Sequence, residues 1–257
     1  MTEGSEPPAG LAPGDLPPSE RPGDPTVTEP DRPVIGRGRP DRPALGWTEL
    51  IVGAVSYVVL QVALGAVAVV LGGGVLPPAP WLVGLSAVSA LGAVAITTSL
   101  RVRSLAAIGL RRVSPRLVLL GVALGLGVWV LSRILIVVYI GVTGDLSDPQ
   151  EDLTRFSGPV AALLVVALGG LVVPFGEELL FRGIGYGSLR RYGVVLATIV
   201  SSLLFALAHG LNVVFLAVLV LAVLNAVLYE RTRSVWPCFA THATFNLCSF
   251  GVLLAVL

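Results

Sequence analysis

From residue 47 onward the chain is a succession of apolar runs, each long enough or nearly so to cross a lipid bilayer. A hydrocarbon core of about 30 Å needs about 20 helical residues at about 1.5 Å each. Seven runs follow one another, at 50–74, 81–100, 117–140, 158–181, 193–209, 212–229 and 234–257. The expected fold is all-α, a polytopic membrane helix bundle of about seven transmembrane helices. Composition agrees, with 54% hydrophobic residues, 13% charged residues and a mean hydropathy of +0.87. A soluble domain carries about a quarter charged residues.

The charges that exist are segregated. Residues 1–46 hold eleven of the nineteen prolines, with many Gly, Asp, Glu and Arg. Such a stretch cannot build a core, so it reads as a disordered Pro-rich cytoplasmic tail before a membrane helical domain at 47–257. It has no apolar segment of its own and is not a signal peptide. All seventeen cations are arginines. They crowd the tail, the 101–116 loop, the 190–191 turn and the 229–234 turn, while the alternate connections are uncharged or acidic. By the positive-inside rule the N-terminus is cytoplasmic and the C-terminus outside. The expected location is a bacterial plasma membrane, spanned several times, with the lipid bilayer as surroundings. A net charge of +1 gives no sign of a nucleic-acid partner. Cys238 and Cys248 lie in one apolar run and read as packing residues. Arg133, near the outer end of the third run, is expected to extend its head to the interface.

Five intramembrane polar residues stand against this background. The stretch "VVPFGEELLFRGIG", residues 172–185, begins in an apolar run, Gly158 to Gly176, that carries no charge, and places its charges at the end of that run. Charges beside so apolar a run are costly unless paired or used. Glu178 and Arg182 are i and i+4 with the acid first, the order that pairs well on a helix. Glu177 points about 100° away and has no cation in reach on its own helix. The only two histidines are His209, ending "SSLLFALAHG", and His242, in "FATHATFN" four residues before Asn246. Glu177 lies sixteen residues before Gly193 and His209 sixteen after it. In a helical hairpin turning there, both sit about 24 Å along their helices and are level. The glycines at 183, 185 and 187 are expected to break the first arm of that hairpin and make the site shallower. His242 and Asn246 share a face of the last helix at a similar depth.

These residues resemble the CPBP family of intramembrane proteases, also called the CAAX-protease or Abi family. Its pattern of Glu-Glu-x-x-x-Arg, Phe-x-x-x-His and His-x-x-x-Asn reads here as "EELLFR", "FALAH" and "HATFN", over roughly residues 100–257. One departure is Asn225, where the family favours glycine; it is expected to alter the packing of the sixth helix and to touch no catalytic position. The resemblance implies an intramembrane endopeptidase acting on a membrane-associated protein or peptide. Glu177 and His209 would activate water. His242, as a neutral imidazole, and Asn246 would stabilise the oxyanion. Glu178, Arg182 and Phe205 would be structural support.

Glu177, His209 and His242 are also a possible set of three zinc ligands with water in the fourth place. Against it, there is no His-Glu-x-x-His helix. With Glu177 on the metal, no second carboxylate is free as base. The metal-free scheme, which gives Asn246 a role, is preferred. Two other classes remain: a non-catalytic membrane scaffold or self-immunity protein on the same fold, and a proton-coupled transporter. The transporter lacks support, because there is no internal repeat or pair of broken helices.

Overall fold

The computed structural model describes residues 45–102, 104–144 and 158–256, with side chains to residue 252. The expectations for residues 1–44 and for the 145–157 connection lie outside these residues. Among the described residues there is no strand. Seven helices follow in order: α1 (Trp47–Leu71), α2 (Ala79–Val102), α3 (Pro115–Thr143), α4 (Pro159–Tyr192), α5 (Val194–Ala208), α6 (Phe215–Thr232) and α7 (Val235–Val256). Five of them, α1 to α4 and α6, are long and apolar enough to span a membrane. At 22 residues α7 has the length, but its apolar run carries His242 and Asn246. At 15 residues α5 reaches only about 22 Å, short of the hydrocarbon thickness of about 30 Å.

Local chemistry fixes the helix ends. Pro115 and Pro159 open α3 and α4 at the first-turn position where a missing N–H costs nothing. The Ser114 hydroxyl accepts from the Arg116 N–H, and Gly144 closes α3 at φ 70°. At the start of α1, Glu49 accepts from the Gly46 N–H at 2.8 Å and meets Arg101 at 3.3 Å. A carboxylate there complements the helix dipole. Leu45, just before α1, is buried in the core.

The long helix α4 is not broken at its glycines, contrary to the sequence expectation. It runs through Gly183 and Gly185 as a stretch of wide π turns over Leu179–Tyr186 and continues as α-helix from Gly187. A first π stretch, Leu168–Val172, precedes Pro174. Proline has no N–H and its ring crowds the carbonyl four residues back, and a widened turn relieves both. Gly183 serves close packing instead: a Cβ there would press on the Ile108 carbonyl oxygen.

Small residues set the helix contacts, as they do where lipid is as apolar as leucine. On α3, a Cβ at Gly121 would collide with the Pro237 carbonyl of α7, and one at Gly125 with the Thr241 carbonyl. On α4, Gly169 and Gly170 receive Phe250 and Leu247 of α7, and Gly176 receives Ala90 and Leu91 of α2. The core therefore forms around α4, with α2, α6 and α7 against it. Val55, Val58, Val59 and Val62 of α1 are exposed, as a lipid-facing surface requires.

Contacts at one end of the bundle show that the helices alternate in direction. There Trp47 of α1 donates to the Tyr192 hydroxyl of α4 at 2.6 Å. Glu230 of α6 takes Arg190 of α4 through both carboxylate oxygens, at 2.8 and 2.9 Å, and also accepts from Tyr186 at 2.7 Å. Ser234, before α7, donates to the carbonyl of Arg111, before α3, at 2.9 Å.

Candidate active site

Glu177, Glu178 and Arg182 project from the middle of α4 and are buried, as is His242 from α7. Arg182 Nε stands 3.2 Å from Glu178 Oε2, the pair read from the i, i+4 spacing. The approach is a charge contact rather than an aligned hydrogen bond, since both atoms lack a hydrogen-bond partner. Arg182 gains two further contacts. One nitrogen donates to the Ala222 carbonyl of α6 at 3.2 Å, and the guanidinium lies 4.5 Å from the centre of the Phe205 ring. A planar cation suits such a site, where a lysine ammonium does not.

The other oxygen of Glu178 is the acceptor for two donors. His242 Nδ1 is 2.9 Å from Oε1, and Asn225 Nδ2 is 3.0 Å from the same atom. Beside Arg182, Glu178 is a carboxylate and can only accept, so the Nδ1 of His242 carries its proton. The Nε2 atom then faces Glu177 Oε2 at 3.8 Å. Glu177 Oε2 is buried and has no hydrogen-bond partner among the described residues. A buried carboxylate oxygen without a partner is chemically an open acceptor.

His209 stands at the end of α5, where the helix stops. Its Nδ1 is 2.9 Å from the Phe205 carbonyl, which only accepts, so here too the proton is on Nδ1 and Nε2 offers a lone pair. No hydrogen bond joins His209 to Glu177 among the described residues. His209 packs instead on Phe205, whose ring centre is 4.7 Å from that of His209, 5.5 Å from that of His242 and 4.5 Å from the Arg182 guanidinium. Phe181 closes the far side edge-on at 5.0 Å. Asn246, one turn beyond His242, donates to the Gly169 carbonyl at 2.8 Å within the first π stretch of α4. Its amide keeps a second N–H.

Two residues escaped the sequence reading. Asn212 donates to the His209 carbonyl at 2.8 Å and accepts from the Val214 N–H at 3.0 Å, closing the α5–α6 link. Asn225 was expected to act only on packing, yet it is fully buried and bonded to Glu178. Its amide orientation is fixed by chemistry, because its second partner, the Cys238 carbonyl at 3.1 Å, also only accepts. Arg133 is half-buried, meeting Ser132 at 3.2 Å and lying over Trp129 at 6.0 Å.

The zinc set does not assemble in this arrangement. No group of three His, Cys, Asp or Glu side chains converges as metal ligands would among the described residues. Glu177 and His242 face each other, and His209, whose Nε2 is left free by the Nδ1 bond to the Phe205 carbonyl, does not converge with them.

Residues 159–248 match the family model described as Type II CAAX prenyl endopeptidase Rce1-like. The matched segment contains Glu177, Glu178, Arg182, Phe205, His209, His242 and Asn246, the residues on which the sequence resemblance rests. The chain is also similar to UPF0177 protein YxdF of Lactococcus lactis subsp. lactis (strain IL1403), 35% identical over 79 residues. That stretch is 30% of this chain and 44% of the relative, so less than half of the relative's length is spanned. No solved structure matches.

Proposed function

We propose that the protein is an intramembrane endopeptidase that hydrolyses a peptide bond of a membrane-associated protein or peptide. The observation that carries this reading is Glu177: a buried carboxylate whose Oε2 has no hydrogen-bond partner and faces an imidazole held by a second carboxylate. Glu178, by contrast, has an arginine within ion-pair distance of one oxygen and two hydrogen-bond partners on the other, whereas Glu177 has no cation partner on its own helix. The match of residues 159–248 to an endopeptidase family supports the reaction class.

In this scheme Glu177, with the lone pair of His209 Nε2, takes a proton from water. The resulting hydroxide attacks the scissile carbonyl carbon. The free N–H of Asn246 donates to the oxyanion. His242 can donate there only when its ring is doubly protonated, because its single neutral proton is on Nδ1 against Glu178. A neutral ring, as assumed from sequence, offers a lone pair at Nε2. The C–N bond then breaks, and the proton held by Glu177 passes to the leaving amine. No step is routed through a metal, since the donor set does not fit one.

The test is a purified, reconstituted protein incubated with membrane-tethered peptides in ¹⁸O-labelled water. A single ¹⁸O incorporated into a new C-terminal carboxylate is the expected product. Absence of any cleaved peptide across the library would favour the scaffold or immunity reading.

A further inference from the structure

Glu178 is held from three helices at once, and one of the three holders is a residue that the resemblance does not predict. Arg182 comes from α4, His242 from α7 and Asn225 from α6. The carboxylate can rotate about its last bond. The Arg182 contact at Oε2 is not an aligned hydrogen bond and does not fix that rotation. Asn225 does: its Nδ2 sits between Glu178 Oε1 and the Cys238 carbonyl, at 3.0 and 3.1 Å, and is fully buried. With Oε1 fixed, the Nδ1 of His242 has one place to donate, and Nε2 is left aimed at Glu177.

We infer that Asn225 is a positioning residue: it locks the Glu178 carboxylate, which in turn sets the tautomer and ring direction of His242 toward Glu177. A bare structural role is the competing account. Asn225 and Cys238 also pin α6 to α7, since Cys238 Sγ approaches the Asn225 carbonyl at 3.3 Å. That pin gives the control. Cys238→Ala removes one of its bonds and leaves the bond to Glu178 intact. Asn225→Leu keeps the branched side-chain shape and removes both donors.

The first readout is independent of catalysis. With two histidines in the chain, ¹⁵N-histidine NMR in nanodiscs is simple, and His209→Gln leaves His242 as the sole signal. The expected spectrum has the proton on Nδ1, shifted downfield by the carboxylate. Asn225→Leu is expected to mix the two tautomers, and Asn225→Ser, with one donor, to mix them less. Cys238→Ala is expected to leave the spectrum unchanged. The second readout rests on the proposed protease activity. There Asn225→Leu is expected to lower kcat by about 10- to 100-fold, the usual loss when a group that orients a site histidine is removed, with KM unchanged. Cys238→Ala is expected to keep kcat.

Three results would overturn the inference. One is a proton on Nε2 in protein that retains Asn225, a result that needs no Asn225 variant to fold. Another is an unchanged tautomer or an unchanged kcat in Asn225→Leu. The third is an equal loss of kcat in Cys238→Ala. Absence of cleavage by the wild type would remove the protease proposal and leave the spectroscopic result to decide this one.

Discussion

At the scale of single residues, the site is an economy of acceptors. Glu178 accepts from His242 and Asn225 at one oxygen and meets the Arg182 cation at the other, while the Oε2 of Glu177 has neither a hydrogen-bond partner nor an arginine beside it among the described residues. Arg182→Leu would strip the cation from a buried carboxylate, a change that costs about 3–5 kcal/mol. Thermal unfolding of the purified variant is expected to show that loss, with less folded protein in membranes. Stability equal to the parent would contradict the ion-pair assignment. Phe205→Ala is expected to cost a similar amount, about 3–5 kcal/mol, because the ring packs against Arg182, His209 and His242 together. Metal analysis belongs to this scale too. Protein without bound zinc is expected to cleave. Stoichiometric zinc, with activity lost on chelation and restored on return, would require the His209 Nε2 to move in and join Glu177 and His242.

At the scale of helices, the close approach of α3 to α7 holds the wall behind His242. Gly125 lies against the Thr241 carbonyl, one residue before His242, whereas Gly127 on the same helix has open space around it. Gly125→Val is therefore expected to push α7 outward and destabilise by about 1–3 kcal/mol, the range for overpacking. Gly127→Ala is expected to leave the unfolding temperature unchanged or slightly raised. Equal effects at the two positions would mean that α3 does not support the site. The π turns of α4 answer to the same logic. Pro174 needs a widened turn before it, and the carbonyl of Gly169 within that turn is the one that Asn246 binds.

At the scale of the molecule, the seven apolar runs read from sequence correspond to α1 through α7, with ends within a few residues except for α4, which runs on past residue 181 to Tyr192. The alternation of basic connections agrees with the contacts among Trp47, Tyr192, Arg190, Glu230, Ser234 and Arg111 at one end. Which end faces the cytoplasm is a separate matter, tested by labelling in a background without the two native cysteines. Cysteine at Ser104 is expected to react only from the cytoplasm, and cysteine at Ser147 only from outside; the reverse would invert the orientation. The pair Glu178–Arg182 was legible because it is local, one turn of one helix. The bond from Asn225 was not, because it spans 47 positions and depends on which face of α6 turns inward. These helices are apolar almost all round, so no polar stripe marks the inner face. The run of glycines in α4 misled for a related reason: a break and a close contact call for the same residue, and only the position of Ile108 tells them apart.

The central claim is that Glu177 is the proton acceptor for water rather than a structural tether, and one substitution separates the two. Glu177→Gln is nearly isosteric and removes the base. In reconstituted membranes the account predicts that cleavage of a membrane-tethered peptide disappears, while expression and unfolding temperature stay at the parent's values. A Glu177→Gln protein that cleaves at the parent's rate, or one that loses activity only because it no longer folds, would contradict the account.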